Sequence, residues 1–355
     1  MYDGAKVVAG TAVLNGNELI VPAFSLPSDK EVILNVFATL RQDEIWATKG
    51  FPVAKEQFVV RPFVPSGLSR SADVPVISES GNVIEVCSDL YKFVFDKSTG
   101  ALVSWKKSEE ELLKGCFEPY FWKPVNENQR HNGYELRLGT WKDAAAGRQV
   151  KEVRSKVEDG MAVVEFDMTL PVGADIKLSY AVDVEGRLQV TSSYIPLQEG
   201  IQLIPKLGFR MRLDAGYSDV EWYGRGPWEN YPDRKTGYMV GHYRMPLEVF
   251  AVDYAVPQDN ANRSDVRWFA LSGSGNVLKV TGLQEMNFRV WPYSEEDIGA
   301  AKHPQDLPDR DYVNVNIDYK IHGVGGNDGW GARTMDAYTI DGNQPYEYGF
   351  VLEWK

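Results

Sequence analysis

The sequence predicts an all-β protein: one large antiparallel sandwich with a smaller β piece before it. Three observations lead there. Apolar and polar residues alternate, or β-branched residues run together, in EVILNVFATL (31–40), MAVVEFDMTL (161–170), IKLSYAVDV (176–184) and RLQVTSSYI (187–195). Turn residues join such runs, as Asp96, Ser98 and Gly100 do in FVFDKSTGALVSW, and Gly273 and Gly275 in ALSGSGNVLKV. No long stretch carries a helical period.

Residues 1–61 supply a few strands, fewer than the roughly 100 residues of a complete small β-sandwich, so this piece is expected to be part of a domain. The proline-, serine- and glycine-rich stretch 62–78 reads as an extended linker. Residues 79–355 then supply enough short strands for one large domain. Helix is confined to two short candidates with capping-box starts, SEEELLK (108–114) and SEEDIGAAKH (294–303), each expected to be a single turn in a loop.

Composition narrows the function classes. A net charge of −12 repels polyanions, which argues against nucleic acid as a partner but leaves neutral ligands open. No apolar run approaches the roughly 18 residues of a membrane span. Cys87 and Cys116 are too few for a disulfide framework and lack metal-site spacing. The start, MYDGAKVVAG, has no signal-peptide core, and the compartment stays open.

Two loops carry the chemistry. WYGRGPWENYPDR (222–234) offers Glu229 and Asp233 as a carboxyl pair, although a glycosidic acid and nucleophile must lie about 5 to 10 Å apart in a cleft. The plainer reading is that Asn230 and Asp233 cap a tight turn while Arg234 neutralises the carboxylate. The second loop, GVGGNDGW (323–330), sets four glycines around Asn327 and Asp328, just after His322. A phosphate cradle would open a helix, and this loop does not. Its product is the placement of Trp330, which either stacks on a pyranose face or plugs the sandwich rim. No histidine pair has metal-ligand spacing.

With FVFDKSTGALVSW, PQDNANRSDVRW (257–268) and TLRQDEIWATKGFPVAKEQFVV (39–60), these loops fall in one order along nearly the whole chain. In that order they resemble the C-terminal region of the long bacterial β-galactosidases of glycoside hydrolase family 2. The GPxENYPDR and GGxDxW motifs are its most specific marks. The resemblance implies a galactose-mutarotase-like supersandwich preceded by the end of an immunoglobulin-like domain. It implies retaining hydrolysis of terminal β-galactosides by two glutamates on an upstream (β/α)₈ barrel, which would also hold magnesium and a monovalent cation. No helices of barrel type occur here, so the chain alone is expected to be inactive, with no catalytic residue and no bound cofactor of its own. The implied partners are the β-galactoside, the barrel and, in some assemblies, a second copy of the chain. Trp330 matches the tryptophan that this region adds to the wall of the sugar site, with Asn327 and Asp328 holding its loop. His322 replaces a frequent methionine and Asn327 a common aspartate. Trp228 stands where a polar residue is usual and is expected to add packing.

Two other readings compete. An aldose 1-epimerase on the same fold needs a carboxylate base and a histidine acid, for which His242 with Glu229, or His322 with Asp328, are the available pairs. A free-standing carbohydrate-binding module would bind sugar unaided, whereas half a site would bind it too weakly for calorimetry.

Overall fold

A computed structural model describes residues 10–21, 23, 25, 28–69, 73–273, 275–328 and 330–355. The chain divides into two compact units, Met1–Pro65 and Ser66–Lys355.

The first unit contains two antiparallel hairpins, Val13–Asn15 with Glu18–Ile20 and Val32–Thr39 with Pro52–Arg61. The second begins with a strand, Val76–Ser80, that starts inside the stretch read as a linker. This strand opens a five-stranded meander that runs through Val83–Cys87, Tyr91–Asp96 and Leu102–Lys107 to Glu110–Glu111.

Facing the meander is a twelve-stranded antiparallel sheet. Its most regular edge is Gln149–Glu158, Met161–Leu170, Ala174–Val182 and Leu188–Pro196, joined in sequence as hairpins. Burial along Leu188–Pro196 alternates almost perfectly, as period-two patterning requires of a strand with one face on the core. The two layers meet through aromatic rings. Phe95 of the meander packs on Tyr180 at 4.8 Å between centroids, and Trp105 meets Trp354 edge-on at 6.3 Å. Phe117 stacks on Phe209 at 5.0 Å, and Phe209 meets Phe350 at 5.4 Å. The all-β antiparallel expectation is therefore what the chain adopts.

One strand organises the region that matters for function. Asn276–Trp291 is 16 residues long and shares its edge between two partners. Leu278 to Gly282 pair with Tyr346–Trp354, while Asn287 to Trp291 pair with Tyr312–Ile321. The changeover lies at Gly282, where a Cβ would fall 2.1 Å from the Gln284 carbonyl, so only glycine permits the bend. Its other edge carries Arg263–Gly273, followed by Asp219–Gly226 and Met239–Pro246.

The helix expectations divide. Glu295–Ala300 is a helix, and Ser294 caps it by accepting from the Asp297 amide at 3.1 Å. Residues 108–114 are not helical: Ser108 turns at φ 53°, and Glu110–Glu111 forms a strand. There the Glu111 carboxylate accepts the amides of Trp105 and Leu113, so the acid expected to cap a helix ties down a hairpin. Three further short helices, Glu127–His131, Tyr134–Leu138 and Leu247–Phe250, were not expected; the first has an Asn126 and Gln129 capping box.

Candidate functional site

The glycine-rich loop leaves the strand Tyr312–Ile321 and is braced on both sides before it reaches Trp330. On one side stands Asp233, whose carboxylate accepts the amides of Val324 at 3.1 Å and Gly325 at 2.7 Å. A Cβ on Gly323 would lie 2.7 Å from the Asp233 carboxyl carbon, so the approach demands glycine. On the other side, Asn126 donates to the Val324 carbonyl at 3.2 Å and Gln129 to the Gly323 carbonyl at 3.0 Å. Asn132 donates to the Ala332 carbonyl at 3.3 Å.

Beyond these braces the loop turns on itself. Gly325, Gly326 and Gly331 have φ of 73°, 111° and 107°, a region open to glycine and costly to others. The Asp328 carboxylate accepts the amides of Trp330 at 2.9 Å and Ala332 at 3.1 Å, closing a turn around the indole's own backbone. Those two amides, Ala332 first, hold the Asp328 carboxyl below the usual carboxylate range. Asn327 is exposed in the same loop. Trp330 is 93% exposed, which is unusual for so large an apolar side chain.

The GPWENYPDR residues fill structural roles. Glu229 is buried, and its carboxylate accepts Arg234 at 2.7 Å, the Ala261 amide at 2.9 Å and the Tyr254 hydroxyl. Asn230, fully buried, accepts the Ser264 amide at 2.9 Å and donates to the Trp228 carbonyl at 3.0 Å. Thus Glu229 and Asp233 are not a free carboxyl pair: one is neutralised by Arg234 and the other grips the glycine loop. Trp228 is 59% exposed, so the added packing expected of it is not found.

His322 is sealed beneath the loop, 3% exposed, with Tyr134 edge-on to its ring at 5.2 Å. Burial, then the nearby charges of Lys123 and Arg137, pushes its pKa down to about 3, so the imidazole is neutral at ordinary pH. Asp328 meanwhile faces solvent on its own turn. His242 contacts Glu221 at 2.5 Å, while Glu229 is occupied by Arg234. Neither histidine–carboxylate pair is assembled as an acid and base.

Below the braces runs a buried line of charge that sequence reasoning missed. Lys123 donates to Gln129 at 2.9 Å and to Asp259 at 3.2 Å. Arg289 bridges Asp259 at 2.5 Å and Asp318 at 2.9 Å, and Lys206 donates to Asp318 at 2.7 Å. The side chains of all five charged residues are wholly buried. Burial lowers the Lys123 pKa and brings Lys206 down to about 8. A signal was present in VNVNID (313–318), where polar residues occupy every second place of a strand apolar on its other face. Among the described residues no group of three or more His, Cys, Asp or Glu side chains is arranged to hold a metal ion. No helix among them is long and apolar enough to cross a membrane.

Comparison with known proteins agrees with the motifs. Residues 88–352 match the family model described as β-galactosidase small chain. The β-galactosidase of Priestia megaterium is 31% identical over 327 residues, covering 91% of this chain and 31% of that protein. The β-galactosidase of Lactobacillus delbrueckii subsp. bulgaricus is 31% identical over 329 residues, covering 91% of this chain and 32% of that protein. The galactose 1-epimerase structure from Lactobacillus acidophilus is similar at a TM-score of 0.48 and 10% identity, over 79% of this chain and 98% of that one. The likeness is too remote to bear on chemistry. The chain spans about a third of the length of the curated relatives it matches. With most of its length matched to that one model, the chain belongs to the β-galactosidase small-chain family.

Proposed function

We propose that this chain is the C-terminal, non-catalytic portion of a β-galactosidase that hydrolyses terminal β-galactosides with retention. In this reading a (β/α)₈ barrel outside the chain supplies both glutamates and the metal ions, and residues 1–61 belong to an immunoglobulin-like domain. The chain scaffolds the enzyme and completes the sugar site with Trp330.

The observation that carries the reading is the contrast between Trp330 and its surroundings: a 93% exposed indole on a loop whose base is braced from two sides. An aromatic plate presented that way suits the apolar face of a pyranose held by another domain. Such a contact binds and orients substrate but moves no proton, so its loss raises KM more than it lowers kcat. Asp328 and the glycines set the turn that presents the indole, and Asp233 and Gln129 fix where that turn stands.

The test is a chimera in which this chain replaces the corresponding C-terminal third of the Priestia megaterium β-galactosidase. The chimera should hydrolyse o-nitrophenyl β-galactoside, while the isolated chain should show no turnover. Robust turnover by the isolated chain would refute the reading.

A further inference from the structure

A second concave site lies on the large unit, at residues the preceding reading leaves without a role. Its floor is Met286, Asn287 and Ile321, all buried, and its walls carry Lys235, Asp265, Glu285, Lys320 and Tyr338. The cleft holds about 250 Å³. That falls just below the roughly 300 Å³ at which sites for drug-sized ligands begin, and it suits one sugar ring.

The local backbone is shaped to make this wall. In the pairing of Arg263–Gly273 with Asn276–Trp291, Arg263 faces Phe288 and Val266 faces Met286, so Ser264 and Asp265 together oppose Asn287. This is a β-bulge, a device that re-aims a side chain and recurs beside functional sites. Within it Asp265 takes φ 51°, a left-handed conformation uncommon for any residue but glycine. Surrounding structure has to hold such a residue in place, and it clusters where function requires it. Here Arg225 holds the Asp265 carboxylate at 2.5 Å and Lys235 holds it at 2.6 Å.

The charges of the wall name the class of ligand. Lys235 pairs with Asp265 at 2.6 Å and Arg267 with Glu285 at 3.0 Å, while the Lys320 ammonium lies over the rings of Tyr319 and Tyr346. A cation would have to displace Lys235 or Arg267 from a carboxylate, and an anion would have to take Lys235 from Asp265 or draw Lys320 off its two rings. A neutral polyol would not: paired carboxylates keep spare lone pairs for hydroxyl donors, and an ammonium offers up to three donors. Tyr338, 38% exposed, supplies an apolar plate at the rim.

We propose that this cleft is a second saccharide site, taking a single neutral pyranose independently of Trp330. The inference does not rest on the role given to Trp330. Saturation-transfer NMR with methyl β-D-galactopyranoside and the full chain tests it at millimolar sugar. Transfer to the sugar should be seen with the unmodified chain, fall about fivefold in Tyr338→Ala and Lys235→Met, and persist in Trp330→Ala. Lys235 is partly exposed and pairs with Asp265, so circular dichroism and urea unfolding of each variant check that the fold is retained. Three results would overturn the proposal: no transfer with the unmodified chain, transfer lost in Trp330→Ala but kept in Tyr338→Ala, or stronger transfer to methyl β-D-glucuronide than to the galactoside.

Discussion

The buried charge line and the glycine loop touch at Gln129, yet they are built on opposite principles. From Lys123 to Lys206 the line is sealed from water, every charge has a partner of opposite sign, and strands carry Lys206, Arg289 and Asp318. The loop ends in an indole with almost all its surface in solvent, positioned by hydrogen bonds to its backbone. Stability and presentation are separated here. The interior specifies one arrangement, and the loop carries a side chain that contributes nothing to folding.

This separation can be broken at its stable end first. Arg289→Met leaves Asp259 and Asp318 buried without their shared guanidinium, and removing one partner of a buried pair costs roughly 3–5 kcal/mol. Urea unfolding should show a loss of that size, and a loss below about 1 kcal/mol would mean the line is dispensable.

His322 gives the next largest effect. Its folded pKa of about 3 lies below the unfolded 6.5, so between those values the unfolded chain binds the extra proton. Stability therefore falls as pH drops through that window, by about 2 kcal/mol from neutrality to about pH 5. In His322→Met this histidine's contribution should vanish and the pH dependence flatten, as read from unfolding curves across the range.

Asp233→Ala removes two acceptors from the loop amides, worth about 1–2 kcal/mol locally. Hydrogen exchange at Val324 and Gly325 should accelerate while the meander stays protected. Smallest of all, Trp330→Ala should change unfolding free energy by less than about 0.5 kcal/mol, because so exposed a side chain packs against little.

The fold was legible where physics is local. Period-two alternation announced the strands from Met161 to Pro196, and Ser294 marked a true helix start. A similar pattern at Ser108, with Glu111 in place of Asp297, misled, since Glu111 found amides on an adjacent hairpin instead of in a helix. Long-range partners were not legible. Asp233 grips amides 91 and 92 residues away, and Lys123 meets Asp259 at a separation of 136, which no local pattern encodes. Trp228 misled in a different way, because a tryptophan in a tight loop reads as packing, whereas its neighbours Glu229 and Asn230 took the interior.

The central claim is that Trp330 binds sugar for a barrel elsewhere in the enzyme. Steady-state kinetics of the chimera with and without Trp330→Ala tests it most directly. The KM for o-nitrophenyl β-galactoside should rise about tenfold, equivalent to about 1.4 kcal/mol, with kcat changed far less. An unchanged KM, in a chimera that is folded and active, would contradict it.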